Sequence, residues 1–125
     1  AGFNLANNSS LMGCIATNNG IGIWVFSNCS VADNHCEGNS TGIRVSGTKS
    51  RIERNTSLNS GIGIDVESAG NMLAGNACGL SIINNWDVVA GNVCLVVQAV
   101  TSGAITGNSG GVSPGSTNPH ANFSY

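Results

Sequence analysis

Five positions of this chain carry groups suited to holding a sugar: Asn4, Trp24, Arg44, Asp65 and Asp87, spaced 20, 20, 21 and 22 residues apart. An exposed indole stacks on a sugar ring, while a guanidinium and carboxylates bond its hydroxyls. Trp24 beside Arg44 would also allow a cation–π contact of about 0.5–1 kcal/mol. Arg44 beside Asp65 would give an ion pair of little net value, and two aspartates alone would hold a cation only weakly. Trp24, Arg44, Asp65 and Asp87 are therefore the candidate binding residues. The plainer reading of the same residues is a row of solvated contacts.

Other chemistries find less support in the sequence. The two histidines, His35 and His120, have no Ser or Cys nucleophile at a recognisable spacing. Glycine tracts such as Gly61-Ile62-Gly63 lie in strand-like segments with no helix after them, which argues against a phosphate cradle. The five cysteines, Cys14, Cys29, Cys36, Cys78 and Cys94, are odd in number and lack the Cys-x-x-Cys spacing of metal or redox sites. The six acids, Asp33, Glu37, Glu53, Asp65, Glu67 and Asp87, are scattered along the chain. No catalytic constellation, metal set or cofactor is expected. With 8% charged residues and a net charge of −2, the chain lacks the basic footprint of a nucleic-acid binder. It also lacks an apolar run of the roughly 20 residues that span a membrane.

The spacing of the candidate residues comes from the elements that carry them. Each sits inside a tetrad: Gly2-Phe3-Asn4-Leu5, Gly22-Ile23-Trp24-Val25, Gly42-Ile43-Arg44-Val45, Gly63-Ile64-Asp65-Val66 and, in degenerate form, Asn85-Trp86-Asp87-Val88. A second apolar position recurs as Leu11, Val31, Ile52 and Leu73, and three residues later come Cys14, Asn34, Asn55 and Asn76. A repeat of this length indicates a solenoid. Apolar–polar–apolar alternation over a few residues, broken by Gly, Asn or Ser, indicates short strands and excludes helical coils. Stacked strands give parallel sheets with about 4.8 Å per rung. Three inward columns follow: Phe3, Ile23, Ile43, Ile64; Leu5, Val25, Val45, Val66, Val88; and Ala16, Cys36, Ser57, Cys78.

The asparagines belong to the turns. Asn tolerates positive φ and its amide bonds to the backbone, and stacked Asn34, Asn55 and Asn76 can bond side chain to side chain. The six Asn-x-Ser/Thr matches, at Asn7, Asn8, Asn28, Asn39, Asn55 and Asn122, are read as by-products of this turn vocabulary. Cys36 and Cys78, two rungs apart in one column, would lie about 9–10 Å from each other, beyond disulfide reach. They are expected to be buried free thiols.

The Gly-Ile-x-Val and Ile-x-x-Asn phrasing over residues 2 to 97 resembles the right-handed parallel β-helix repeat proteins. The ending "NNWDVVAGNVCLVVQAVTSGAITGN", then "NPHANFSY", is similar to the C-terminal end of uncharacterised secreted β-helix proteins of environmental bacteria. The resemblance implies an all-β, right-handed parallel β-helix (β-solenoid) of about four to five coils over 1–100, with an irregular capping tail over 101–125. It favours an extracellular or cell-surface location. The wider fold includes pectate lyases, polygalacturonases, epimerases and tailspikes, but their acidic clusters and basic catalytic residues cannot be placed on this chain, and "SRIER" at 50–54 matches a basic motif only superficially. The leading expectation is a non-catalytic structural or surface-adhesive module, or a piece of a longer β-helix protein. A carbohydrate-binding solenoid is the alternative, followed by a polysaccharide lyase, hydrolase or epimerase relative. A glycan is the candidate ligand. Bare strand edges at the solenoid ends, and a tail folded over the last coil or a neighbouring chain with Phe123 and Tyr125 docked, make self-association the expected partnership.

Overall fold

A computed structural model of the chain describes residues 1–98, 104–107 and 119–125. Of the expected tail, residues 101–103 and 108–118 lie outside the described residues. Among those described there is no helix, and so none long and apolar enough to cross a membrane. Four regular coils of three strands follow one another. They are β1 (Phe3–Leu5), β2 (Ser10–Met12) and β3 (Ile15–Thr17); β4 (Ile21–Val25), β5 (Ser30–Ala32) and β6 (His35–Glu37); β7 (Thr41–Val45), β8 (Arg51–Glu53) and β9 (Thr56–Leu58); and β10 (Ile62–Val66), β11 (Met72–Ala74) and β12 (Ala77–Gly79). Beyond them lie β13 (Asn84–Val88), β14 (Val93–Cys94), β15 (Val96–Gln98), β16 (Ala104–Gly107) and β17 (Asn122–Ser124).

The strands stack into three parallel sheets. Sheet A runs β1-β4-β7-β10-β13-β16, sheet B runs β2-β5-β8-β11-β14, and sheet C runs β3-β6-β9-β12-β17-β15. The registers follow the repeat: Ile23 pairs with Ile43 and Ile43 with Ile64, Val31 with Ile52, and Cys36 with Ser57. The chain is thus a parallel β-solenoid, and each inward column expected from the spacing lies in its core. Ile23, Ile43 and Ile64 are fully buried, Trp86 continues their column, and Leu73 is followed in its own column by Cys94.

The leading glycine of each tetrad has a steric cause. A Cβ on Gly22 would stand 2.5 Å from the Gly42 carbonyl oxygen, and one on Gly42 would stand 2.5 Å from that of Gly63. Both are well inside van der Waals contact, so neighbouring coils can approach only with hydrogen at this point. At the fifth tetrad Asn85 replaces Gly, and its amide turns to the inserted strand β17 instead.

The corners revise the role expected of asparagine. The left-handed residue is the one before the stacked polar residue: Asp33 (φ 58°) before Asn34, Arg54 (φ 53°) before Asn55, and Gly75 before Asn76. The other two corners behave alike, with Asn28 before Cys29, Lys49 before Ser50, and Asn59 before Ser60. The ladder asparagines are therefore free of that φ demand, and their amides serve the neighbouring coil. The Oδ1 of Asn55 accepts from both the backbone N–H and the Nδ2 of Asn34, each at 3.0 Å, while its Nδ2 donates to the Val31 carbonyl at 2.9 Å. Asn76 does the same one coil later, receiving from Asn55 and donating to Ile52.

Among the described residues of the tail, Ala104–Gly107 form β16 and Asn122–Ser124 form β17. Strand β17 inserts as a rung between β12 and β15, with Ala77 opposite Phe123 on one side and Val97 opposite Phe123 on the other. Asn122 takes the next ladder position: its Oδ1 accepts from Asn76 N–H (3.0 Å) and Nδ2 (2.8 Å), and its own Nδ2 donates to the Leu73 carbonyl. Of the aromatics, Tyr125 lies against Gly79 and remains about a third exposed, while Phe123 is 48% exposed.

Candidate functional site

The outward column of sheet A is in strict register: Asn4 opposite Trp24, Trp24 opposite Arg44, Arg44 opposite Asp65, and Asp65 opposite Asp87. The spacing in the sequence therefore brings together every candidate residue. Each lies between two inward neighbours of its strand, so the pleat turns it outward.

Of the two contacts expected within the column, the Arg44–Asp65 ion pair is present and the Trp24–Arg44 contact is not. Trp24 does not lie over the Arg44 guanidinium. Its ring stacks on Phe26, centroids 5.3 Å apart and planes 27° from parallel, and its Nε1 donates to Ser46 Oγ at 2.9 Å. Two apolar rings one pleat apart shed more water together than an indole over a cation that has carboxylates close by. Arg44 turns the other way, with Nε 3.2 Å from Asp65 Oδ2 and 3.6 Å from Glu67 Oε1. Ser46 Oγ in turn donates to Glu67 Oε2 at 2.7 Å. A continuous polar chain results: Trp24, Ser46, Glu67, Arg44, Asp65.

Phe26, Ser46 and Glu67 were not singled out by the sequence reading. They stand two residues beyond the outward position, where strand alternation brings a side chain to the same face again. That signal was readable, but the tetrads end at the residue before.

Asp65 is the least solvated of the candidates, only 9% exposed. Burial, and after it the charge of Glu67, hold its carboxyl above the ordinary aspartate range against the opposing pull of Arg44. Next to the aromatic pair the surface forms a shallow depression lined by Asn4, Ala6, Asn7 and Phe26. The rings and the amides there sit side by side.

Several of the other charged residues pair locally. Arg54 bridges to Asp33 through Nε (2.9 Å) and to Glu53 through Nη1 (3.5 Å), while Arg51 Nη2 reaches Glu53 Oε1 at 2.7 Å. The two arginines of "SRIER" are thus engaged by carboxylates. His35 lies 3.3 Å from Glu37. Among the described residues no three His, Cys, Asp or Glu side chains gather in a way that could hold a metal ion.

All five cysteines are free, and all but Cys14 are buried. Burial pushes the Cys36 and Cys94 thiols up to about 12 and Cys78 well above the usual thiol range, so the thiolate needed for redox or nucleophilic work is suppressed. Of the glycosylation-type asparagines, Asn39, Asn55 and Asn122 are sealed in the corners at 3% exposure or less, with their amides bonded.

A second surface feature lies at the corner after β12. Leu80, Ile82 and Ile83 are 64%, 84% and 63% exposed, and the Leu80 N–H donates to the Tyr125 carbonyl. No protein-family model, curated protein or solved structure matches this chain.

Proposed function

We propose that this chain is a non-catalytic β-solenoid module of structural or surface-adhesive kind, working in an extracellular or cell-surface setting. The observation that carries this reading is the internal pairing within the outward polar row of sheet A from Trp24 to Glu67. Arg44 answers Asp65 and Glu67, and Ser46 answers Glu67 and Trp24. A general acid or base must keep a free, tuned carboxyl facing substrate; here Asp65 and Glu67 are both turned on Arg44, which leaves Asp87 at the end of the row as its single carboxyl without a basic partner among the described residues. What remains presented to a partner is a rigid rod with one varied side chain per coil and an apolar corner at Leu80, Ile82 and Ile83.

A second reading is a glycan-binding face, favoured by the stacked Trp24–Phe26 pair beside Asn4 and Asn7. Aromatic platforms flanked by amides suit a sugar ring and its hydroxyls. One experiment addresses both readings: wild type and Trp24→Ala are presented to a polysaccharide panel, scoring retention and release of reducing or unsaturated ends. The structural reading expects no product from either protein. The glycan reading expects retention by wild type and at least ~10-fold weaker retention by Trp24→Ala. Product release by wild type would sink the non-catalytic reading, and equal retention of both proteins would sink the glycan site.

A further inference from the structure

Strand β17 is unlike every other rung. Ladder partners in the regular coils are 20 or 21 residues apart, whereas Asn122 meets Asn76 across 46 residues. Regular strands are tied to their coil by tight corners on both sides. Strand β17 pairs with β12 and β15, and the slot it fills is made wholly by other parts of the chain.

That slot makes specific demands. On the β12 side, the Phe123 N–H donates to Asn76 O (2.8 Å) and the Tyr125 N–H to Cys78 O (2.9 Å); on the β15 side, the Asn122 N–H donates to Leu95 O (2.7 Å). Asn76 needs an acceptor, which Asn122 Oδ1 supplies. Leu73 and Leu95 offer carbonyls, which Asn122 Nδ2 meets at 2.9 and 3.0 Å. Asn85 Nδ2 donates to Ser124 Oγ (2.9 Å) and the Tyr125 carbonyl (2.8 Å), and Trp86 Nε1 donates to the Phe123 carbonyl at 3.3 Å. Tyr125 closes the end against Gly79, where any Cβ would strike its ring. The slot therefore reads an extended segment of the form Asn-x-small-aromatic.

We propose that the slot between β12 and β15 is a peptide-binding site whose partner is residues 119–125 of a second copy of this chain, exchanged with its own. Every contact above is the same whichever copy provides the strand, so exchange sacrifices no hydrogen bond and only the advantage of the covalent tether is lost. Strand addition of this kind draws affinity from main-chain bonds and specificity from side-chain pockets, and both are present here. Leu80, whose N–H donates to the Tyr125 carbonyl, lies exposed beside the strand. A second copy brought in by exchange would cover apolar surface that a lone chain leaves to water.

The test uses full-length chain and a synthetic peptide of residues 119–125, with molecular mass followed by light scattering across a concentration series. A dimer fraction is expected to grow with concentration and to collapse to peptide-carrying monomer when wild-type peptide is added in excess. A peptide bearing Asn122→Ala should be at least ~10-fold less effective, having lost the buried ladder bonds. Full-length Phe123→Ala, altered only at an outward side chain, should behave as wild type in the ladder contacts and serves as the second chain. A dimer that excess peptide leaves intact would place the contact elsewhere. A monomer at every concentration would overturn the second-copy partner, whether or not it takes up peptide.

Discussion

Two columns run the length of this molecule, and each holds one residue per coil. The corner between sheets B and C repeats nearly the same residue, Asn34, Asn55, Asn76 and Asn122, all at 2% exposure or less. The outward face of sheet A varies, repeating a residue only at its last step: Asn4, Trp24, Arg44, Asp65, Asp87. Both columns are positioned by the same repeat. At the corner each side chain must satisfy fixed backbone groups of the coil before it, so it must both accept and donate, as the asparagine amide does. On the face the only demand is that the residue tolerate water and its neighbours. Repetition in this sequence therefore marks structural demand, and variation marks the surface open to partners.

The comparison is broken most strongly at the corner. Asn55→Ala leaves the Asn34 N–H and the Val31 carbonyl buried without their partner, and should lower stability by about 3–5 kcal/mol. Urea unfolding followed by the fluorescence of the two tryptophans would measure it, and a loss under about 1 kcal/mol would mean that water or rearrangement replaces the ladder. Asn55→Asp restores the acceptor but not the donor to Val31, so it should remain clearly destabilised.

On the outward face the same truncation should cost far less. Trp24→Ala removes the stacking on Phe26 and the bond to Ser46, for a loss of about 1 kcal/mol with the fold intact. A loss as large as that of Asn55→Ala would erase the distinction between the two columns.

The smallest effect concerns Asp65, the member of the face most withdrawn from water. Its carboxyl is held above the ordinary aspartate range, so the folded chain binds that proton more tightly than the unfolded chain does. The stabilisation this gives is fully present in acid and is lost as pH rises through the folded-state pKa. Asp65→Asn should therefore gain on wild type, by a fraction of a kcal/mol, as unfolding midpoints are compared from acid to neutral pH. A wild type that instead gains on Asp65→Asn with rising pH would show that Arg44 outweighs burial.

The regular coils were legible because three signals agreed. The glycine before Ile23, Ile43 and Ile64 marks where coils nearly touch, the alternation after it separates inside from outside, and the corner asparagine ties each coil to the one before it. The stripe was legible for the same reason, as a register consequence. Its contacts were not, because the spacing says nothing about which way Trp24 or Arg44 leans, and that is settled by Phe26 and Glu67 one pleat further on. Strand β17 was hidden by its distance. Asn122-Phe123-Ser124 has the same Asn-x-small form as Asn34-His35-Cys36, Asn55-Thr56-Ser57 and Asn76-Ala77-Cys78. A reading tuned to one repeat length passes over a rung that arrives after two repeats.

The ladder bonds all point the same way: the amide of each coil answers the backbone of the coil before it. During synthesis, then, no coil is locked when its own residues leave the ribosome; it is locked by what emerges next. For the first three coils the wait is about one repeat. Coil four must wait for Asn122, 46 residues behind Asn76, which at about 5–20 residues per second is a delay of roughly 2–9 s. Throughout that interval the growing chain carries an open rung between two finished strands, and this is the stage at which a chaperone or a sister chain from the same message has the best access to it.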